Sequence, residues 1–103
     1  MTEWRLHMSV KVTLNCLVKD HHFGDLQKFL EDNLANVRNF PGCQSVELYF
    51  DHANSELLID EIWQDTSSHQ SYISAITESG VFAEFGSFFK APPAVKYFHR
   101  LDI

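Results

Sequence analysis

Trp63, His69 and Tyr72 are the residues whose types and spacing suit a reaction. His69 and Tyr72 lie three apart in a stretch with helical periodicity, so they share one helix face. A histidine with an ordinary pKa near ~6.5 can accept a phenolic proton and turn a quinol into an electron-rich anion able to reduce dioxygen directly. The substrate itself then supplies the electrons, so this chemistry calls for no cofactor, neither metal nor flavin. Trp63 ends a strand-like run just before that helix, where its indole face can stack on a flat ring and its N–H can orient a carbonyl or phenol oxygen. Asn15 is the fourth candidate. A polar amide in the middle of a sheet must find partners or lose ~1–3 kcal/mol, and it can bond a neighbouring side chain or hold a substrate oxygen as an oxyanion donor does.

These arguments make Asn15, His69 and Tyr72 the candidate catalytic residues and Trp63, Phe82 and Phe85 the candidate substrate-binding residues. Each also has a packing reading. Trp63 serves equally as a core or rim aromatic, and His69, in a first helical turn, as an exposed surface residue. Tyr72 reads as a buried tyrosine with its hydroxyl satisfied. Phe82, Phe85, Phe88 and Phe89 at helical spacing are commonly core.

Elements to position them follow from periodicity. Residues 1–9 are unpatterned and read as a leader, with one domain over residues 10–103. Residues 10–18 alternate, placing Val10, Val12, Leu14, Cys16 and Val18 on one strand face and Lys11, Thr13, Asn15 and Leu17 on the other. Asp20 is the expected N-cap of an amphipathic helix carrying Phe23, Leu26, Phe29, Leu30, Leu34 and Val37, which ends near Asn39 ahead of a type II turn at Pro41-Gly42. Residues 44–51 and 56–63 form two strands joined by a hairpin connection, hence antiparallel. Ser67 with Gln70 resembles a capping box for the helix that carries His69 and Tyr72. Gly80 separates that helix from a second helical piece at residues 81–89, Pro92-Pro93 stops it, and residues 94–101 are the last strand. Strand, helix, strand, strand, helix pair, strand gives an α+β, ferredoxin-like four-stranded antiparallel sheet with helices on one face. The second face is expected to be apolar and to be covered by another copy, which makes a homodimer, a dimeric α+β barrel.

With 103 residues the chain is about one domain long, and 45% hydrophobic residues with nine Phe exclude disorder. A formal charge of -6 without a Lys/Arg cluster argues against nucleic acid as a partner. No apolar run is long enough for a bilayer, and the first residues lack a signal-peptide pattern, so no membrane partner and a cytoplasmic location are expected. The six histidines offer no helical i, i+4 pair and no two-apart strand pair, so no metal site is expected, and Cys16 and Cys43 read as reduced thiols.

Phe40-Pro41-Gly42-Cys43 after the first helix, Glu61-Ile62-Trp63-Gln64-Asp65 at the third strand's end and the helix that follows resemble the antibiotic biosynthesis monooxygenase domain. The resemblance spans about residues 10–101. It implies a dimeric α+β barrel, a pocket between sheet and helices, and one of several activities: cofactor-free oxidation of phenols or quinols, haem degradation, breakdown of signal molecules, or none assigned. The haem-degrading branch uses an Asn on the first strand, a Trp on the helix after the third strand and a later His. Asn15 matches the first position, but Tyr72 and Gly86 stand at the other two, which turns the expectation away from haem. The reading is therefore a cofactor-independent monooxygenase of a small aromatic, phenolic or quinol-like substrate. The alternatives are a non-catalytic dimeric module that binds an apolar ligand and an isomerase or degrading enzyme for a small oxygenated metabolite.

Overall fold

Seven elements build the computed structural model, which describes residues 6–103: β1 (Leu6–Leu17), α1 (Phe23–Arg38), β2 (Cys43–Asp51), β3 (Glu56–Trp63), α2 (Thr66–Glu78), α3 (Val81–Gly86) and β4 (Ala94–Leu101). The strands form one sheet in the order β2-β3-β1-β4 with every neighbouring pair antiparallel, the ferredoxin-like arrangement expected from the sequence. No helix among the described residues is long and apolar enough to cross a membrane.

Period-2 alternation decides which side chains meet the helices. Val10, Val12, Leu14 and Cys16 of β1 and Leu57, Ile59, Glu61 and Trp63 of β3 are all buried, and Leu26, Phe29, Val37 and Phe85 close over them from the helices. Stacking of Phe29 on Phe85 at 6.0 Å ties α1 to α3, and the edge contact of Phe40 with Tyr72 at 5.3 Å ties the turn after α1 to α2.

Several boundaries differ from the sequence reading. Strand β1 starts at Leu6, so residues 6–9 belong to the sheet, drawn in by pairing of Leu6 with Leu101, while residues 1–5 of the expected leader lie outside the described residues. Asp20 does not cap α1. His21 adopts a left-handed conformation (φ 63), which moves the helix start on to an N-cap at His22, and the Asp20 carboxylate lies 3.8 Å from Lys90 Nζ instead. Helix α3 ends at Gly86 rather than at residue 89. The next residues are claimed by the chain after β1: Phe89 bridges Val18, Lys19 N–H donates to the Phe88 carbonyl and Lys90 N–H donates to the Leu17 carbonyl.

The type II turn is where expected. Cys43 N–H donates to the Phe40 carbonyl at 3.0 Å, Gly42 has φ 92, and its carbonyl accepts from Gln64 N–H at 2.7 Å. A Cβ at Gly42 would lie 2.5 Å from Ser68 Cβ, so only glycine lets this turn approach the start of α2 so closely.

The sheet's second face is mixed rather than apolar. Lys11 Nζ sits 3.3 Å from Asp60 Oδ2 and Asn15 Nδ2 donates to Glu56 Oε2 at 3.0 Å, between half-buried Leu58 and Ile62 and exposed Leu17, Tyr49 and Phe98. The cause is again alternation, since β1 and β3 interleave these polar residues with the core set.

Candidate functional site

The buried polar side chains of the described core are Glu61, 5% exposed, and His69, 1% exposed. Glu61 occupies the third inward position of β3, between Ile59 and Trp63, where the alternation calls for an apolar residue. His69 descends onto it from the first turn of α2. That turn is held by Asp65, whose side chain accepts from Ser68 N–H at 2.7 Å and from the Ser67 hydroxyl at 3.1 Å, so Asp65 is the cap and the expected capping role of Ser67 passes to it. These bonds, Ser68's first, hold the Asp65 carboxyl below the ordinary carboxylate range.

Three aromatic side chains surround the pair. His69 packs edge-on to Trp63 at 5.3 Å and to Tyr97 of β4 at 5.3 Å, and Trp63 lies 5.4 Å from Tyr72. Trp63 Nε1–H donates to Glu61 Oε1 at 2.6 Å, His69 Nδ1 meets the Tyr97 hydroxyl at 2.7 Å, and His69 Nε2 stands 3.7 Å from Glu61 Oε1. The last distance is too long for a hydrogen bond.

Burial sets the charges. It raises the Glu61 carboxyl against the counter-effect of the Trp63 bond, and it lowers His69 to about 4 from an ordinary 6.5. Burial disfavours the charged form of both groups, which argues against an ion pair, and near neutral pH the imidazole is neutral. Burial first, then the Glu61 charge, pushes the Tyr72 hydroxyl up to about 12, so it keeps its proton.

Glu61, His69 and Tyr72 border a cavity of about 70 Å³ between the sheet and the three helices. Phe29 of α1, with Phe82 and Phe85 of α3, supplies apolar wall, and Asn33 of α1 adds a fourth polar lining residue. The cavity is partly open to solvent, and its lining runs from the inward face of the sheet up to Ile73 and Ile76 of α2. No three His, Cys, Asp or Glu side chains gather into a metal-holding group among the described residues.

The structure thus brings His69, Tyr72, Phe82 and Phe85 to one cavity. Trp63 is fully buried and does not line the cavity; it backs three residues that do, bonding Glu61 and packing on His69 and Tyr72. His69 is not the exposed first-turn residue of the packing reading, because Trp63 on one side and Tyr97 on the other enclose it. Asn15 does not join the cluster: it projects from the opposite sheet face and spends its amide on Glu56, the neighbouring-side-chain outcome. Sequence reasoning passed over Glu61 and Tyr97. For Glu61 a signal existed, a carboxylate in phase with Leu57, Ile59 and Trp63. For Tyr97 none did, since its contact with His69 joins residues 28 apart.

No family model matches the sequence, and no curated protein matches it. Solved structures do. A conserved protein from Methanosarcina mazei Go1 superposes with a TM-score of 0.81 at 14% identity over 91% of this chain and 94% of its own. The protein Rv0793 from Mycobacterium tuberculosis gives 0.79 at 21% identity over 92% and 97%. A Bordetella bronchiseptica protein provisionally named an antibiotic biosynthesis monooxygenase gives 0.78 at 16% over 89% and 96%. With the same provisional name attached to further structures of this shape, the chain has the fold of the antibiotic biosynthesis monooxygenase domain.

Proposed function

We propose that the chain takes a small phenolic or quinol-like aromatic into the cavity beside Glu61 and oxidises it with dioxygen, without metal or flavin. One observation carries the reading: a carboxyl with a raised pKa and a neutral imidazole stand together in the wall of a largely apolar, ring-lined cavity. Glu61 replaces His69 as the base, because an imidazole held at about 4 accepts a phenolic proton poorly whereas burial makes the carboxylate more basic. Tyr72, still protonated, donates to the oxyanion that forms. Phe82 and Phe85 pack on the substrate ring. For a methylene flanked by phenolic rings, Glu61 removes a proton, the carbanion reduces dioxygen to a bound hydroperoxide, and loss of water leaves a carbonyl. The balance is R2CH2 + O2 → R2CO + H2O. The provisional name of the Bordetella bronchiseptica fold neighbour is consistent with this reaction class.

A second reading has its own support. The cavity of about 70 Å³, lined mostly by apolar side chains including Phe82 and Phe85, suits a module that binds an apolar ligand without turnover. Oxygen uptake with a panel of anthrones and hydroquinones, with and without added flavin or metal, separates the two. Uptake without additives that Glu61→Gln abolishes supports the oxidase chemistry; binding of panel members with no uptake assigns the binding role.

The partner in this reading is a second copy packed on the open sheet face. Charge favours it: Glu47 and Asp51 lie on the β2 side of that face and Lys96 and Arg100 on the β4 side. A two-fold axis parallel to the strands lays one copy's β2 over the other's β4 and sets these charges against each other. Asp60 Oδ1, buried on that face, has no hydrogen-bond partner among the described residues. Light scattering behind size exclusion at micromolar concentration decides it, and a monomer is the contrary result.

A further inference from the structure

We infer that Tyr97 is a positioning residue for the buried pair: its hydroxyl donates to His69 Nδ1, which fixes the imidazole as the Nε2–H tautomer and aims that N–H at Glu61 Oε1, leaving Oε2 as the oxygen that takes and gives the proton. The inference rests on the reading of Glu61 as the base.

The sheet register explains why a β4 residue can do this. Val12 pairs with Glu61 on one side and with Tyr97 on the other, so the three lie in one row across the inward face of β3, β1 and β4. The outer two are two strands apart, roughly 10 Å at the usual spacing. The middle position is a small, fully buried valine, and the His69 ring sits over it and spans the gap.

Direction of the hydrogen bond follows from the other end of the ring. Glu61 Oε1 accepts the Trp63 indole N–H at 2.6 Å. An oxygen that accepts there acts as the carbonyl-type oxygen when the carboxyl is protonated, so the acid proton resides on Oε2. Oε1 is thus an acceptor in both protonation states. A lone pair on His69 Nε2 facing it across 3.7 Å is repulsive, and an N–H there is attractive. The lone pair belongs on Nδ1, and the Tyr97 hydroxyl, 2.7 Å away, must donate. Tyr97 can do so throughout the neutral range, because burial first and the Glu61 charge second raise its hydroxyl above the ordinary 10.0. Side-chain pairs that tighten on substrate binding are often long at rest, and the 3.7 Å approach leaves room for that.

Nitrogen-15 NMR of histidine-labelled protein near neutral pH tests the assignment without any substrate. His69 is expected to show Nε2 protonated and Nδ1 bare and hydrogen-bonded. In Tyr97→Phe, which keeps the ring, the Nδ1 resonance should move to that of a nitrogen without a donor and the second tautomer should become populated. With an active substrate, the same variant should lower kcat on the order of tenfold at nearly unchanged KM, a fraction of the ~10²–10⁴ that a general base supplies. A protonated Nδ1 on His69 in the unaltered protein overturns the inference whatever the variant does, and so does a Tyr97→Phe spectrum identical at His69. Absent oxygen uptake together with the expected tautomer and its loss in Tyr97→Phe sinks the oxidation reading while supporting the role of Tyr97 at the pair.

Discussion

Replacing His69 with asparagine should remove a specific part of the protein's acid sensitivity. The folded chain keeps the imidazole neutral, because burial lowers its pKa from an ordinary 6.5 to about 4. Between those values the unfolded chain binds a proton that the folded chain does not, so this stabilisation is complete above about 6.5 and is lost as pH falls toward about 4. The interval, 6.5 minus about 4, at about 1.4 kcal/mol per pH unit comes to about 3.5 kcal/mol, of which about 3 kcal/mol is lost by pH 4. By pH 5 about 2 kcal/mol of it has gone. Asparagine does not titrate, and its carbonyl oxygen stands near the place of Nδ1, where Tyr97 donates. Glu61 works in the opposite direction: its raised pKa favours the acid form in the folded state, so its contribution is present at low pH and lost as pH rises through the folded value. That contribution is common to both proteins and drops out of their difference to first order. Urea unfolding of both proteins across the acid range should show the stability difference moving against the histidine protein by about 3 kcal/mol on acidification. Two curves that run parallel from neutral pH to about 4 would refute the claim that His69 is held neutral by burial.

Gly42→Ala places a side chain at φ 92 and 2.5 Å from Ser68 Cβ, and should cost about 2–3 kcal/mol in urea unfolding with an unchanged m value. A double-mutant cycle of Asn15→Ala and Glu56→Ala should return a coupling of about 0.5–1.5 kcal/mol from their 3.0 Å bond, whereas zero coupling would free the Asn15 amide for another role. Trp63→Phe deletes the N–H that opposes the rise of the Glu61 pKa, so the carboxyl should titrate higher still in the variant; an unchanged titration would remove Trp63 from the site.

Much of the fold is readable in short-range pattern. The alternation of Val10, Val12 and Leu14, the spacing of Leu26, Phe29 and Leu30, and the Pro41-Gly42 turn each carry local physics that the tertiary structure leaves intact. Boundaries were less readable where distant backbone intervenes. Leu101 extends β1, and Val18 ends the helical run before Phe89. The site divides in the same way. Glu61 sat in plain phase with the β3 core, yet as part of a Glu-x-Trp pattern it drew attention to Trp63 rather than to the carboxyl. The face of Asn15 follows from the same alternation, and that face points away from the helices. The burial of His69 depends on Tyr97 arriving from the far edge of the sheet, which no local pattern announces.

The account turns on one group, the Glu61 carboxyl raised by burial beside a neutral imidazole. Carbon-13 NMR titration of glutamate-labelled protein, with Glu61→Gln to assign the resonance, measures it directly. The expected result is one carboxyl titrating clearly above the ordinary 4.5 and missing from the variant. A Glu61 carboxyl that titrates at or below 4.5 would contradict the account, since it would describe a solvated surface acid and leave the cavity without its base.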